Sequence, residues 1–226
     1  MTSVRLNKFL ATHHGLSRRQ ADEKIASGEV LVNGIAARIG QTVGPNDHIS
    51  VDDQSVTTQQ TTLLALHKPI GFVCSRRQQG DSPTIYSLLP EHYHSLKTVG
   101  RLDRDSSGII LLTNNGDLAH QMMHPQFHKT KAYQVELDQP LAPLHQQMIS
   151  DFGIQLDDGV SQLHLTRQKE GDSIHWNLTM HEGRNRQIRR TFAALGYTVI
   201  KLHRTDFGNY SLGDIKCGKF EIIKML

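Results

Sequence analysis

Leu6, Phe9 and Leu10 recur at helical spacing near the start of the chain, and Gly15 ends the stretch. Ser17 with Gln20 makes a capping box for a second helix that runs to about Ser27 and stops at Gly28. Val30–Val32 then reads as a strand, turned by Asn33-Gly34 into a hairpin with residues 35–38, and Ile49–Val51 follows the Asn46-Asp47 turn as a last strand. Residues 52–62 are polar throughout except for Val56 and read as a linker. This division predicts a small domain over residues 1–54, a linker over 55–62 and a larger domain over 63–226.

Beyond the linker, residues 63–67 and 71–75 flank Lys68-Pro69 as strand, turn and strand. A short helix is expected around 85–89, a buried strand at 109–112 and a helix at 117–123. Tyr133, Val135 and Leu137 alternate as a half-exposed strand, and 141–152 reads as a helix with Pro143 in its first turn. Residues 161–168 and 174–180 read as strands, the second placing Ile174, Trp176, Leu178 and Met180 on one face. A helix over 185–195 carries Ile188, Phe192 and Leu195 as its core stripe, and 197–203 is another strand. Several strands, few helices and connections too short for repeated crossovers predict an α+β fold with a mixed, largely antiparallel sheet.

Composition narrows the class. With 37% hydrophobic and 21% charged residues, the 226-residue chain is an ordinary globular protein rather than a disordered one. A formal net charge of +3 permits an anionic partner without demanding one. Cys74 and Cys217 lie far apart, which argues against a disulfide framework or a thiolate zinc site. No signal-peptide core and no run of about 18 apolar residues is present, so the expectation is a cytoplasmic protein without a membrane partner.

Two segments carry candidate chemistry. Residues 100–108, Gly-Arg-Leu-Asp-Arg-Asp-Ser-Ser-Gly, set Asp103 between Arg101 and Arg104 in a turn anchored by the apolar run that follows. Residues 181–190, His-Glu-Gly-Arg-Asn-Arg-Gln-Ile-Arg-Arg, place Arg184 and Arg186 at a helix entry and Arg189 at the edge of its buried stripe. Cations at a helix N-terminus oppose the macrodipole, which favours an anion such as phosphate nearby. A third cluster, Arg5, Lys8, Arg18 and Arg19, precedes the first acid of the chain, Asp22, and reads either as a phosphate-facing patch or as a solvated helical face. His124 and His128 have the four-residue spacing of helical metal ligands, but Pro125 disfavours a helix there and nothing completes a site, so no metal is expected. Neither a Gly-rich phosphate loop nor a Gly-x-Ser-x-Gly elbow occurs.

Arg5-Leu-Asn-Lys-Phe-Leu-Ala, Ser17-Arg-Arg-Gln-Ala-Asp and Gly28-Glu-Val-Leu-Val-Asn-Gly34 resemble the small RNA-binding domain named after ribosomal protein S-four. Residues 100–114, Lys131-Ala-Tyr-Gln-Val135 and residues 183–190 resemble the bacterial rRNA pseudouridine synthases, in the small-subunit synthase A branch that also carries an S-four-like domain. Lys68-Pro-Ile-Gly71 and Leu202-His-Arg-Thr-Asp-Phe-Gly208 extend the likeness over nearly the whole chain. Ser106 stands where the family usually has Thr, Asn115 where Asp is common, Thr191 where Met is common and Asn209 where Pro often follows the Gly.

The resemblance implies a small S-four-like domain followed by a catalytic domain with a mixed sheet, flanking helices and a central cleft. It implies Asp103 as the catalytic aspartate, Tyr133 stacked on the target uracil and Arg189 as the cation paired with the aspartate. It also makes Arg5, Lys8, Arg18, Arg19, Lys68, Arg101, Arg104, Arg184 and Arg186 candidate RNA-binding cations. The implied partner is structured ribosomal RNA, free or in an assembly intermediate; a monomer is expected by default. The reaction breaks a uridine's N-glycosidic bond and rejoins the base through carbon. Its product is an isomer, so no cofactor is needed. Asp103 acts either as nucleophile or as base towards the sugar. Residues 68–75 and 80–90 look more like the large-subunit branch. Small-subunit rRNA or tRNA is the alternative substrate, and a non-catalytic RNA-binding assembly factor the alternative function.

Overall fold

A computed structural model describes residues 3–57 and 60–225. Two compact units emerge. One comprises Met1–Thr62 with Ser95–Lys97 and Thr113–Gly116, the other Leu63–His94, Thr98–Leu112 and Asp117–Leu226. Positions 58 and 59, in the middle of the expected linker, lie outside the described residues.

In the first unit β1 (Val4–Arg5), α1 (Leu6–His13) and α2 (Arg18–Ala26) precede β2 (Val30–Val32), β3 (Ile35–Ala36), β4 (Thr42–Val43), β5 (Ile49–Val51) and β6 (Gln54–Ser55). The capping box forms in both directions: Gln20 N–H donates to Ser17 Oγ at 3.1 Å, and Ser17 N–H donates to Gln20 Oε1 at 2.9 Å. Leu6, Leu10, Ala21, Ile25, Val30, Ile49 and Val51 form the core. Residues 52–55 are a hairpin rather than the start of a linker. Asp52 and Asp53 turn the chain at φ 49° and 59°, a conformation Asp tolerates, and β6 returns along β5. Val56 donates its N–H to Ile49 at 2.8 Å and packs on the core. Both residues of β6 are exposed, so no hydrophobic alternation announces it.

The second unit is built on one mixed sheet. Its strands are β7 (Leu63–Lys68), β8 (Lys97–Val99), β9 (Ser107–Thr113), β10 (Lys131–Leu137), β11 (Ile154–Leu156), β12 (Gly159–Ser161), β13 (His164–Arg167), β14 (His175–Met180), β15 (Val199–Phe207), β16 (Tyr210–Ser211) and β17 (Phe220–Ile222). Helices α3 (Gly116–Met123), α4 (Pro143–Gln147) and α5 (Gln187–Ala193) interrupt them. The sheet runs β13-β14-β10-β15-β9-β7-β17, with β8 on β9 and β16 on β15, while β11 and β12 form a separate hairpin. β15 and β9 are parallel, and the pairs along β13-β14-β10-β15 and β7-β17 are antiparallel. The expected α+β class with a mixed, mostly antiparallel sheet is therefore what forms. Every residue of β9 is buried. At Gly108 (φ 113°) a Cβ would lie 2.1 Å from the Arg204 carbonyl oxygen, so only glycine lets β9 approach β15. No helix among the described residues is long and apolar enough to cross a membrane.

Several expectations need correction. Residues 71–75 form no strand: Gly71 turns at φ 92° and Val73 makes only an isolated bridge to Thr84. The helix expected over 141–152 starts at Pro143, which has no N–H to donate, and widens into a π-helical turn at Met148–Phe152 before Gly153. The strand expected over 161–168 breaks in two where buried Leu163 turns its N–H to Ile149. The helix expected over 185–195 opens only at Gln187, because Arg186 adopts a left-handed conformation at φ 45°.

Candidate active site

One face of the second unit opens into a cleft of about 1040 Å³. Residues 100–103 and Ser106 line it from the turn before β9, Lys131 and Tyr133 from β10, residues 180–189 from the entry of α5, and Leu202, Arg204 and Phe207 from β15. The turn is held from below. Ser106 N–H donates to the Asp103 carbonyl at 3.1 Å, and Gly71 N–H to the Arg104 carbonyl at 2.7 Å. Lys68, fully buried at the end of β7, donates through Nζ to the Ser106 carbonyl at 2.6 Å and the Pro69 carbonyl at 2.9 Å. Burial pushes its ammonium pKa down against the pull of the nearby carboxylates.

Two carboxylates share this turn and have different partners. Asp105 takes both Arg186 guanidinium nitrogens, at 3.1 and 3.0 Å, and Arg189 Nε at 3.3 Å. Burial opposes its ionisation, but the Arg186 hydrogen bonds and the charges of Arg189 and Arg186 outweigh it and hold the carboxyl below the ordinary range. Asp103 lines the cleft, and its ion pair among the described residues is a long one, 3.7 Å to Arg186. Arg189 is thus not the direct partner of Asp103. Its Nη1 donates to the Val199 carbonyl at 2.6 Å and its Nη2 to the Asp105 carbonyl at 2.9 Å, which ties α5 and β15 to the turn. The left-handed Arg186 starts α5 so that positions 186 and 189, three apart, reach the same carboxylate.

Tyr133 is buried on β10, opposite Leu178 on one side and Arg204 on the other. Arg204 is buried too; it donates twice to the Ile109 carbonyl, at 2.9 and 2.7 Å, and its guanidinium lies 4.7 Å from the centre of the Phe207 ring. Lys131 Nζ lies 5.5 Å from the same ring, and burial together with the charge of Arg204 lowers its pKa. The pattern reading singled out none of Asp105, Arg204 or Lys131. Arg204 left a legible signal, because it shares the buried set of its strand with Leu202 and Phe207.

Residues 62–194, more than half of the chain, match the RNA pseudouridylate synthase family. The chain belongs to that family. An S4 domain matches at residues 4–60. Among curated relatives, the ribosomal small subunit pseudouridine synthase A of Pasteurella multocida is 36% identical over 93% of this chain and 91% of its own length. The ribosomal large subunit pseudouridine synthase B of Bacillus subtilis is 33% identical, over 95% and 89%. The dual-specificity RNA pseudouridine synthase of Escherichia coli K12 is 35% identical, over 97% and 75%. A crystal structure of a pseudouridylate synthase superposes with a TM-score of 0.69 at 32% identity, covering 98% of this chain and 96% of that one. The chain is accordingly an enzyme, an isomerase of RNA uridines.

Within this synthase the candidate RNA-binding cations divide. Lys68 cannot reach RNA, because its ammonium is buried at the end of β7 against two carbonyls. Arg184 spends its guanidinium on the protein: Nη1 donates to the Asp158 and Gly159 carbonyls, Nη2 to the Val160 carbonyl, and Nε lies 3.0 Å from Glu182. It clamps the β11–β12 hairpin instead. Arg101 and Arg104 are exposed on the turn itself, and Arg186 is half-exposed at the cleft. In the first unit Arg5, Arg18 and Arg19 are exposed and Lys8 is half-buried.

Proposed function

We propose that this synthase converts one or a few uridines of ribosomal RNA to pseudouridine, in the large-subunit RNA, with Asp103 as the catalytic carboxylate and no cofactor. The observation that carries this reading is the division of labour on the turn. Asp105 is saturated by arginines, whereas Asp103 faces the cleft and keeps its oxygens open to a substrate. A carboxylate that must add to a sugar or remove its proton needs that freedom together with a fixed backbone. Lys68 and Arg189 supply the fixed backbone. Tyr133 offers a ring for the flipped uracil and a hydroxyl for the last proton transfer at carbon. Arg189 positions the turn by donating to the Asp105 carbonyl.

Ribosomal RNA is the substrate named for two of the relatives, and the S4 domain supplies a surface for structured RNA. An rRNA substrate places the enzyme in the cytoplasm. Overall identity does not separate the subunits; the lean to the large one rests on residues 68–75 and 80–90. The test is a pseudouridine map of total rRNA, by carbodiimide labelling and reverse-transcription stops, in cells with and without the gene. One or a few stops in large-subunit RNA should vanish on deletion and return with wild type but not with Asp103→Asn. A stop restored by Asp103→Asn overturns the catalytic assignment, and a stop lost from small-subunit RNA overturns the choice of subunit. Unchanged maps of both rRNA and tRNA leave an RNA-binding assembly factor.

A further inference from the structure

The rim of the cleft carries an exposed run of rings that the chemistry described so far does not use. α3 ends at Met123, and a single 3₁₀ turn, Pro125–Phe127, carries the chain to β10. His120 and His124, one helical turn apart, have ring centres 4.9 Å apart. Phe127 packs edge-on to both, at 6.0 Å from His120 and 6.3 Å from His124. All three side chains are exposed, Phe127 to 40%. A single exposed apolar residue needs no explanation, but this group adjoins the active site. Met123 and His128, from the same segment, line the cleft, and the His128 carbonyl lies 3.1 Å from Nδ1 of His181, another lining residue.

Residues 118–131 contain no acid, while Lys129 and Lys131 follow the rings, so the segment suits an anionic strand. A metal does not fit. Among the described residues no three His, Cys, Asp or Glu side chains gather to hold one. We propose that His120, His124 and Phe127 form a stacking platform for the bases next to the target uridine, gripping the unpaired strand just outside the cleft. The proposal rests on the reading of the enzyme as acting on a flipped uridine in RNA. Rings displayed beside a flipping pocket bind neighbouring bases by their faces, whatever the base, because every base has one.

Two substitutions test it. Phe127→Leu keeps an apolar side chain and removes the ring, whereas Phe127→Trp enlarges it. On an RNA fragment spanning the mapped uridine, Phe127→Leu should raise KM about tenfold at unchanged kcat, and Phe127→Trp should stay at or below the wild-type KM. Making one neighbouring nucleotide abasic should cost the wild type about the same factor and add nothing to the loss in Phe127→Leu. Independent losses, or a wild-type KM in Phe127→Leu, overturn the platform. A second arm needs no turnover. Trp176, the chain's single tryptophan, is fully buried, so the indole introduced by Phe127→Trp reports on the patch. Single-stranded oligouridylate should quench it. Emission that oligouridylate leaves unchanged overturns the platform and leaves the rings to a protein partner. Wild-type protein that makes no pseudouridine in any RNA defeats the functional reading separately, and the quenching result still decides the platform.

Discussion

Asp103 and Asp105 sit two residues apart with the same chemistry and acquire different jobs from their neighbours. Asp105 contributes to stability through Arg186 and Arg189, and its carboxyl titrates below the ordinary range. For a depressed acid, that contribution is complete above the unfolded pKa, about 3.9, and is lost as pH falls through the folded value. Asp105→Asn should therefore lower the denaturant midpoint at pH 7, with the gap to wild type closing as the pH drops below about 4. Lys68 acts beneath the same turn. Lys68→Met keeps the bulk but leaves the Ser106 and Pro69 carbonyls without their buried donor. The turn should loosen, with kcat falling by up to about a hundredfold while RNA binding, measured by filter retention, is retained.

At the scale of elements, local capping decides where helices start. Both hydrogen bonds of the Ser17–Gln20 box are made, so Ser17→Ala should destabilise the first unit by about 1 kcal/mol, read from chemical denaturation of the full chain. The strands at Leu63–Lys68, Ser107–Thr113 and His175–Met180 were legible because their hydrophobic runs or alternation match the burial they meet. Other elements were not. The β5–β6 hairpin has polar strand residues, and its turn uses two aspartates where Asn-Gly is the familiar signal. Residues 71–75 have strand-forming side chains but no strand among the described residues to pair with, and propensity alone does not make a strand.

For the whole molecule, a net charge of +3 is too small to bind RNA by bulk attraction, so placement of the cations matters. Arg18 and Arg19 are exposed at the start of α2. If they hold phosphates, Arg18→Ala and Arg19→Ala should each lower the slope of log K against log salt by about 1 and weaken binding evenly across RNA sequences, by titration at several salt concentrations. Equal slopes for variants and wild type would assign both to a solvated face.

The helices of the first unit, the buried central strand and the candidacy of Asp103 follow from the sequence by itself, because capping boxes, hydrophobic period and short motifs are local, whereas Tyr133 became a candidate through the family resemblance. The partners of the charged groups do not. Arg186 and Asp105 are 81 residues apart, and they meet because α5 docks where β9 runs parallel to β15. Which carboxylate is left open, whether Arg184 faces RNA or a hairpin, and whether Lys68 is a surface cation or a buried strut all depend on that docking. A charge acquires its role from the atoms packed around it, and those atoms come from distant parts of the chain.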